Sequence, residues 1–369
     1  MFFEEIPAEG ILFFMLYGIT GVVPLIAALY LLLRRGNAFA PDVTPPLRLR
    51  RWAASFFIAA ALGHVWWYLF LIYSHDIHSA CYVVVALIDC LGLLTTIAGT
   101  LLSMLQDRKR PVWPIVVGLI PYVVIAALFF VNPDDTFTTI AIAYILLLYL
   151  FFTVYIVFAV RQYGRWLNDN YADLENKKVW LSQMVSLACL LLFILYATVE
   201  TDNILLYILH VVELILFSLL LWRVETLPQL EETLPQQTLP QPLSVREGKG
   251  GGSIDLAQIE RLLTEHCVGK KLYLQHGLTL QELALAIGTN RSYLGQYFSN
   301  LGITYNAYIN DLRINHFMRL YHEAAKTHQN IVAQQLASAS GYRSYSTFSL
   351  AFKHRTGQSV TAWMSESAQ

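Results

Sequence analysis

Residues 334–357 read QQLASASGYRSYSTFSLAFKHRTG, and this stretch decides the fold of the C-terminal part of the chain. A short helix with a small apolar face ends near Gly341, where a residue without Cβ adopts a positive φ at little cost. A second helix is predicted over about residues 344–353. Phe348 and Phe352, four positions apart, lie on its inner face. The stretch therefore predicts two short helices joined by a tight turn.

The same pattern occurs earlier, in residues 280–302, which read LQELALAIGTNRSYLGQYFSNLG. Asn290 is a favourable N-cap for the second helix of this copy. A helical segment at 305–325 separates the two copies. The copies keep register, with separations of 53, 54 and 55 positions for the pairs Gly288 and Gly341, Phe298 and Phe352, and Gly302 and Gly357. Two units in register, joined by a long helix, are a far more specific signal than one unit alone.

Residues 278–363 resemble the double helix–turn–helix domain of AraC/XylS-type bacterial transcription regulators. The resembling segments are LTLQELA, YLGQYF, YINDLRI, and QLASASGY followed by STFSLAFKHRTG. The resemblance covers about a quarter of the chain and implies an all-helical domain whose second helix in each unit enters a major groove of double-stranded DNA. The sequence departs from the family at Leu350, where Arg is common, at Val360, where Pro is common, and at Trp363-Met364, where an aromatic-Arg pair is common.

The resemblance also implies which side chains contact DNA. Most base-facing positions of the two recognition helices hold polar side chains. Gly295 and Leu350 also fall at such positions but have no polar side-chain group. Two cations near the end of the second helix are expected to contact phosphate. The predicted DNA-binding residues are Arg291, Ser292, Gln296, Tyr345, Ser346, Thr347, Ser349, Lys353 and Arg355. Arg313, within the connecting helix, is expected to bridge the two halves structurally.

The N-terminal part of the chain has the composition of a membrane protein. The 369 residues are 56% hydrophobic and 14% charged, and the mean hydropathy is +0.48. Seven apolar runs are long enough to cross a bilayer, at residues 11–33, 52–73, 80–104, 112–131, 137–160, 179–199 and 203–222. The predicted fold class is all-α, with a seven-helix transmembrane bundle and a cytoplasmic double helix–turn–helix domain.

Charges in the loops between these runs predict the orientation. Lys and Arg occur in loops one, three and five, whereas loops two, four and six, which read YSHDIHS, NPDDT and ETDN, contain none. By the positive-inside rule the N-terminus lies outside and the C-terminal domain lies in the cytoplasm. The expected location is the bacterial cytoplasmic (inner) membrane, where a C-terminal domain could reach DNA.

The predicted domains follow from these boundaries. Residues 1–224 form the membrane region, and residues 254–369 form the C-terminal domain, with its two units at about 280–302 and 331–357. Residues 225–253 are predicted to be a linker, because they hold three copies of Thr-Leu-Pro-Gln, starting at Thr226, Thr233 and Thr238, and a Gly-rich end. The segment 254–267 is predicted to be an amphipathic helix that packs on the first helix–turn–helix or dimerises beside it.

Four ionisable residues lie within the apolar runs, where a charge is costly and often functional. The candidates for a membrane sensor are His64, Asp89, His210 and Glu213. They could form a ligand, proton or cation site, or they could simply hold the helices together by hydrogen bonds. Their ligand types allow a metal, but their spacing fixes no four-ligand set, so no metal or cofactor is predicted. His75, Asp76 and His78, in an outer loop, could bind a metal or sense pH, or they could belong to an ordinary solvated loop.

These features predict a membrane-anchored, one-component transcription regulator controlled by a signal sensed in or across the membrane. Its expected partners are double-stranded DNA and the lipid bilayer, and a small ligand or ion and a homodimer are left open. No nucleophile–base pair or phosphate-binding glycine loop occurs, so the chain is not expected to be an enzyme. The alternative is a seven-span receptor or transporter whose helical tail is a protein-interaction module without DNA binding.

Overall fold

A computed structural model describes residues 8–73, 80–132, 135–196, 203–230, 256–327 and 332–367. All regular secondary structure in these ranges is helical, as predicted. The chain divides into two compact units, of which the first holds Met1–Tyr163 and Asn176–Glu231 and the second holds Gly164–Glu175 and Glu232–Gln369. The second unit therefore includes a short segment, Gly164–Glu175, from the part of the sequence that was assigned to the membrane region. We call it the docked segment.

The first unit is built from long apolar helices. Its helices are α1 (Ala8–Leu33), α2 (Leu47–Tyr73), α3 (Ala80–Ser103), α4 (Trp113–Gly118), α5 (Ile120–Val131), α6 (Asp135–Asn170), α7 (Trp180–Tyr196) and α8 (Asn203–Thr226). In the described part of the chain, six helical stretches are long and apolar enough to cross a membrane. The remaining predicted span, at residues 179–199, corresponds to α7, whose described apolar stretch, Trp180–Leu191, is shorter than the roughly 20 residues that a crossing needs.

The predicted span at 112–131 is not one continuous helix. It breaks at Leu119 into α4 and α5, and Pro121 stands in the first turn of α5. Proline lacks an amide hydrogen, and its ring crowds the carbonyl four residues earlier, so a helix is interrupted just before it. Both pieces together still form one candidate span, Trp113–Val131.

Helix contacts within the first unit depend on small residues. A Cβ at Gly63 of α2 would lie 2.5 Å from Asp89 Oδ1 on α3, and a Cβ at Gly99 would overlap the ring of Trp52. Small residues of this kind let helix backbones approach closely in membranes. Large apolar side chains point outward instead: Phe151 is 77% exposed and Val131 83%. This distribution suits a bundle whose outer surface faces lipid.

Polar contacts bind together the ends of α1, α3 and α8. Arg34 forms an ion pair with Glu225 at 3.0 Å, and the Asn37 side chain donates to the Glu225 carbonyl at 2.8 Å. Gln106 donates to the carbonyl of Pro228 and accepts from the amide of Leu230. Residues 225–230, the start of the predicted linker, thus continue α8 and pack into the first unit. The later part of the linker, with its remaining repeats, lies outside the described residues.

Helix α6 is much longer than a membrane crossing requires. Its 36 residues span about 54 Å at 1.5 Å per residue, whereas a bilayer core is about 30 Å thick. Its last residues, Gly164 to Asn170, belong to the docked segment of the second unit.

The second unit is a compact helical domain with two apolar clusters. After the docked segment, its helices are α9 (Leu256–Leu262), α10 (Leu280–Ala286), α11 (Arg291–Asn300), α12 (Tyr305–Lys326), α13 (Ala333–Ala339), α14 (Tyr345–Thr356) and α15 (Val360–Ser367). A π-helical turn, Leu263–Val268, extends α9, so the amphipathic helix predicted at 254–267 is present. One cluster centres on Leu283, Leu294 and Phe298. The other centres on Phe317, Phe348 and Phe352.

Candidate nucleic-acid interface and intramembrane cluster

The first helix–turn–helix unit consists of α10 and α11. Thr279 caps α10 in a capping box, because its side chain accepts from the amide of Glu282 while the Glu282 carboxylate accepts from the amide of Thr279. Gly288, with φ of +75°, makes the turn. The Asn290 side chain then caps α11 by accepting from the amide of Tyr293 at 2.8 Å. The local sequence thus fixes both ends of the turn.

The second helix–turn–helix, formed by α13 and α14, repeats this arrangement. Gly341 makes its turn with φ of +89°, and a Cβ there would lie only 2.8 Å from the carbonyl oxygen of Leu274. Ser344 caps α14 by accepting from the amide of Thr347. Gly357, with φ of +81°, ends the helix in the left-handed conformation that glycine favours. The second recognition helix is therefore Tyr345–Thr356, three residues longer at its C-terminus than predicted.

Arg313 of α12 joins the two halves of this domain, as predicted. Its side chain is fully buried, and its guanidinium donates to the carbonyls of Tyr273 at 2.7 Å and Gln275 at 2.8 Å. The guanidinium carbon also lies 5.4 Å from the ring centroid of Tyr342 in the second helix–turn–helix. A third interaction, with Asp173 Oδ1 at 2.6 Å, reaches the docked segment. Arg313 is thus a structural centre rather than a surface cation.

The predicted DNA-binding residues fall on α11 and α14, and most of them are exposed. The exposed ones are Ser292, Gln296, Tyr345, Ser346, Lys353 and Arg355, and the half-buried ones are Arg291, Thr347 and Ser349. Leu350, in the same row of α14, is 68% exposed. The two recognition helices therefore present polar surfaces of the kind that contacts base edges and phosphates.

The docked segment covers Arg291, the first residue of the first recognition helix. Asn170 Oδ1 accepts from Arg291 Nε at 2.9 Å and from Nη2 at 2.5 Å. Asp169, Asn170, Arg291, Ser292 and Gly295 are among the residues that line a cavity of about 500 Å³. Partial burial lowers the pKa of Arg291, although a guanidinium stays charged. Arg291, the cation predicted to contact bases, is thus hydrogen-bonded within the chain.

Hydrogen bonds from backbone and side-chain groups hold the docked segment in place. The Ala172 amide donates to the Leu278 carbonyl at 3.2 Å, and the Asn306 side chain donates to the Ala172 carbonyl at 2.6 Å. Asp173 accepts from the amide of Gly277 at 2.6 Å as well as from Arg313. These contacts join the segment to α12 and to the start of α10, so it is part of the fold of this unit.

Two further predicted DNA contacts also have internal partners. Thr347 of α14 donates to Glu175 Oε2 in the docked segment at 3.5 Å. Arg355 pairs with Asp311 of α12. The docked segment therefore touches both recognition helices, through Asn170 and Glu175. Sequence analysis missed this role, because these polar residues follow a predicted membrane span without any recognisable motif.

Three of the four predicted sensor residues meet within the first unit. His64 Nε2 lies 3.5 Å from Glu213 Oε2, and His210 Nδ1 lies 3.3 Å from the same oxygen. Thr20 of α1, which sequence analysis did not single out, places its hydroxyl 3.0 Å from His64 Nε2 and 3.3 Å from His210 Nδ1. Asp89 is not in this cluster, since its carboxylate accepts from Trp67 Nε1 at 3.1 Å.

His75, Asp76 and His78 lie outside the described residues. Cys267 is completely buried, and this burial raises the pKa of its thiol to about 11. Such a thiol stays protonated near neutral pH and is a poor nucleophile or metal ligand.

Comparison with known proteins supports the assignment of the C-terminal domain. A family model described as a helix-turn-helix domain matches residues 283–366, which extend from within α10 to near the end of α15. A search of curated proteins finds no match, and neither does a search of solved structures.

Proposed function

We propose that this chain, which carries an AraC-type helix-turn-helix domain and a multi-span membrane region, is a membrane-anchored one-component transcription regulator. The observation that carries the proposal is the pair of recognition helices, α11 and α14, set on the two halves of α12. Each presents polar side chains on its exposed face, which suits base readout in successive major grooves. Lys353 and Arg355 at the end of α14 suit phosphate contact.

The proposed topology places this domain in the cytoplasm. Arg34 and Arg35 follow α1, and Arg108, Lys109 and Arg110 follow α3, whereas the loops on the opposite side contain no Lys or Arg. This asymmetry supports an outer N-terminus. With α7 as a seventh crossing, the chain beyond α8 emerges on the cytoplasmic side of a bacterial inner membrane.

The docked segment supports a mechanism of control. It contacts Arg291 through Asn170 and Thr347 through Glu175, and Asp169 lines the same cavity as Arg291. Carboxylates here occupy positions near groups that would otherwise face phosphates or bases. We infer that this arrangement is the DNA-free form and that the Asn170–Arg291 and Glu175–Thr347 contacts must open before both recognition helices can bind.

The decisive experiment uses full-length protein in lipid nanodiscs and a library of genomic fragments. Selective retention of a few fragments, with protection of two adjacent major grooves in a footprint, is the expected result. Binding should weaken steeply as salt increases, because phosphate contacts release counterions. Weak and equal retention of all fragments, also after Asn170→Ala, would instead favour the protein-interaction alternative, for which the exposed Leu350 is the best structural support.

A further inference from the structure

We propose that Thr20, His64, His210 and Glu213 form a binding site for one divalent transition-metal ion of the zinc class within the membrane region. Four potential donor atoms from α1, α2 and α8 converge there. The donor atoms of the two histidines and Glu213 all lie within 4.8 Å of one another. The Thr20 hydroxyl contacts both imidazoles.

The separations suit metal coordination. Zinc binds imidazole nitrogen and carboxylate oxygen at about 2.0–2.2 Å in tetrahedral geometry, which sets neighbouring ligand atoms about 3.3 Å apart. The distance from Glu213 Oε2 is 3.3 Å to His210 Nδ1 and 3.5 Å to His64 Nε2. Both values therefore match two ligands of one ion.

The tautomer of His64 also favours a cation. Its Nδ1 lies 2.9 Å from the carbonyl oxygen of Ala60, and because a carbonyl can only accept, Nδ1 carries the hydrogen. In the neutral ring, Nε2 then carries a lone pair and no hydrogen, and it faces the Glu213 carboxylate. Histidine ligands of metals are commonly fixed in this way by a hydrogen bond from the second ring nitrogen.

Hydrogen bonds alone offer this cluster few donors, because beside the Thr20 hydroxyl only His210 Nδ1, in one tautomer, can donate to the Thr20 oxygen or to Glu213 Oε2. The Thr20 hydroxyl has one hydrogen, and the carbonyls of Leu16 and Tyr17 lie 3.1 and 2.9 Å away to accept it. If it is used there, the Thr20 oxygen, His64 Nε2 and Glu213 Oε2 are all acceptors. One divalent ion would satisfy these lone pairs and offset the carboxylate charge.

The donor set indicates the class of metal. Two imidazoles and one carboxylate occur in zinc sites and in other first-row transition-metal sites, whereas Ca²⁺ and Mg²⁺ prefer oxygen ligands. The four residues lie about 10–18 Å along their helices from the ends that the proposed topology places outside. Metal binding goes beyond DNA binding, and only its use as the sensed signal rests on the proposed function.

The test is metal binding by chelator-treated full-length protein in detergent. We expect one Zn²⁺ per chain by titration calorimetry, and Co²⁺ should give the visible bands of a nitrogen- and oxygen-ligated site. His64→Gln, His210→Gln and Glu213→Gln should each abolish this binding, and Thr20→Val should weaken it by about 10-fold, as loss of a supporting group does in other sites. Cys90→Ser and His322→Gln serve as controls, because these potential ligands lie outside the cluster.

The proposal is overturned if the wild-type protein binds no Zn²⁺, or if binding survives in both His64→Gln and Glu213→Gln. Size-exclusion chromatography must show that the variants remain monodisperse. If one does not, the Co²⁺ spectrum of the wild-type protein decides, since a thiolate charge-transfer band would place the metal elsewhere. No DNA is present in these measurements, so their failure leaves the proposed DNA binding intact, and loss of DNA binding leaves the metal site intact.

Discussion

Asn170 at the end of α6 accepts two hydrogen bonds from the guanidinium of Arg291, the first residue of the first recognition helix. The pair is separated by 121 positions in sequence. Asn170 belongs to α6, the only long helix in the described chain that contributes residues to both compact units. Arg291 belongs to the surface that is predicted to contact DNA. The state of this contact is therefore central to the proposed regulation.

Asn170→Ala should increase DNA binding by the full-length protein. The change removes the acceptor that holds Arg291, and a hydrogen bond to a charged group contributes roughly 1.5–3 kcal/mol, so affinity should rise by about 10-fold or more. Fluorescence anisotropy with a selected promoter fragment measures the effect. Asn168→Ala, on the same helix two positions earlier, should change affinity little. Equal affinity in Asn170→Ala and wild type would show that the contact does not restrain Arg291.

Arg291→Ala and Lys353→Ala should affect DNA recognition in different ways. Arg291 stands at a base-facing position, so its loss should relax sequence preference and cost about 1–3 kcal/mol on the best site. Lys353 is expected to contact phosphate, so its loss should weaken binding to all sequences about equally and reduce the salt dependence. Selection from a randomised DNA library, repeated at two salt concentrations, separates these outcomes. Identical sequence profiles for Arg291→Ala and wild type would refute the base-contact assignment.

Arg313→Met should strongly destabilise the second unit. It would leave Asp173 and the carbonyls of Tyr273 and Gln275 without their buried partner, a loss of about 3–5 kcal/mol. Pulse proteolysis of full-length protein in increasing urea measures this change. The matched control is Arg319→Met, because Arg319 is 53% exposed and pairs with Glu323 at 3.8 Å, and exposed pairs contribute at most about 1 kcal/mol. A similar midpoint for both variants would contradict the structural role of Arg313.

Gly341→Ala should destabilise the second unit more than Gly277→Ala. Both glycines have positive φ, +89° and +72° respectively, which costs an alanine about 1 kcal/mol. Only at Gly341 does a Cβ also meet backbone, since it would lie 2.8 Å from the Leu274 carbonyl oxygen. Urea midpoints of the two variants, measured as above, give the difference directly. Equal midpoints would mean that the backbone around Leu274 relaxes freely.

Stability of the second unit should decrease as pH falls through the range of histidine. Burial, together with the nearby charges of Arg319 and Lys271, lowers the pKa of His316 from its ordinary 6.5. The unfolded chain therefore takes up a proton before the folded chain does, so stability is complete above pH 6.5 and is lost as pH falls from there through the folded pKa. His316→Gln should flatten this part of the urea–pH profile. An unchanged profile in His316→Gln would assign the effect to other groups.

Much of the C-terminal fold could be predicted from sequence because its signals are local. Glycines at the turns, caps at Asn290 and Ser344, and inward phenylalanines four residues apart are all set by backbone conformation and helix period. The apolar helices of the first unit were predicted for the same reason. Where prediction differed, local causes explain it: Pro121 interrupts one span, and Leu227 and Leu230 are buried in what was taken for linker.

The contacts between distant segments could not be predicted in this way. Nothing in the sequence around Asn170 indicates that it meets Arg291, because that contact depends on tertiary packing. Ionisable residues in apolar runs identified His64, His210 and Glu213, but which of them meet depends on the pairing of α2 with α8. Thr20 could not be identified from the sequence, since a threonine in an apolar helix usually hydrogen-bonds to its own backbone. Asp89 was identified as an intramembrane charge, although it lies outside the cluster.

The contact between Asn170 and Arg291 is made within one polypeptide, and this has a consequence for dosage. Groups tethered in one chain meet at an effective concentration that is set by the connection between them and not by the abundance of the protein. The balance between the proposed closed and DNA-competent forms should therefore be independent of how many copies a cell contains. Overproduction alone should raise the number of molecules without raising the fraction that is active.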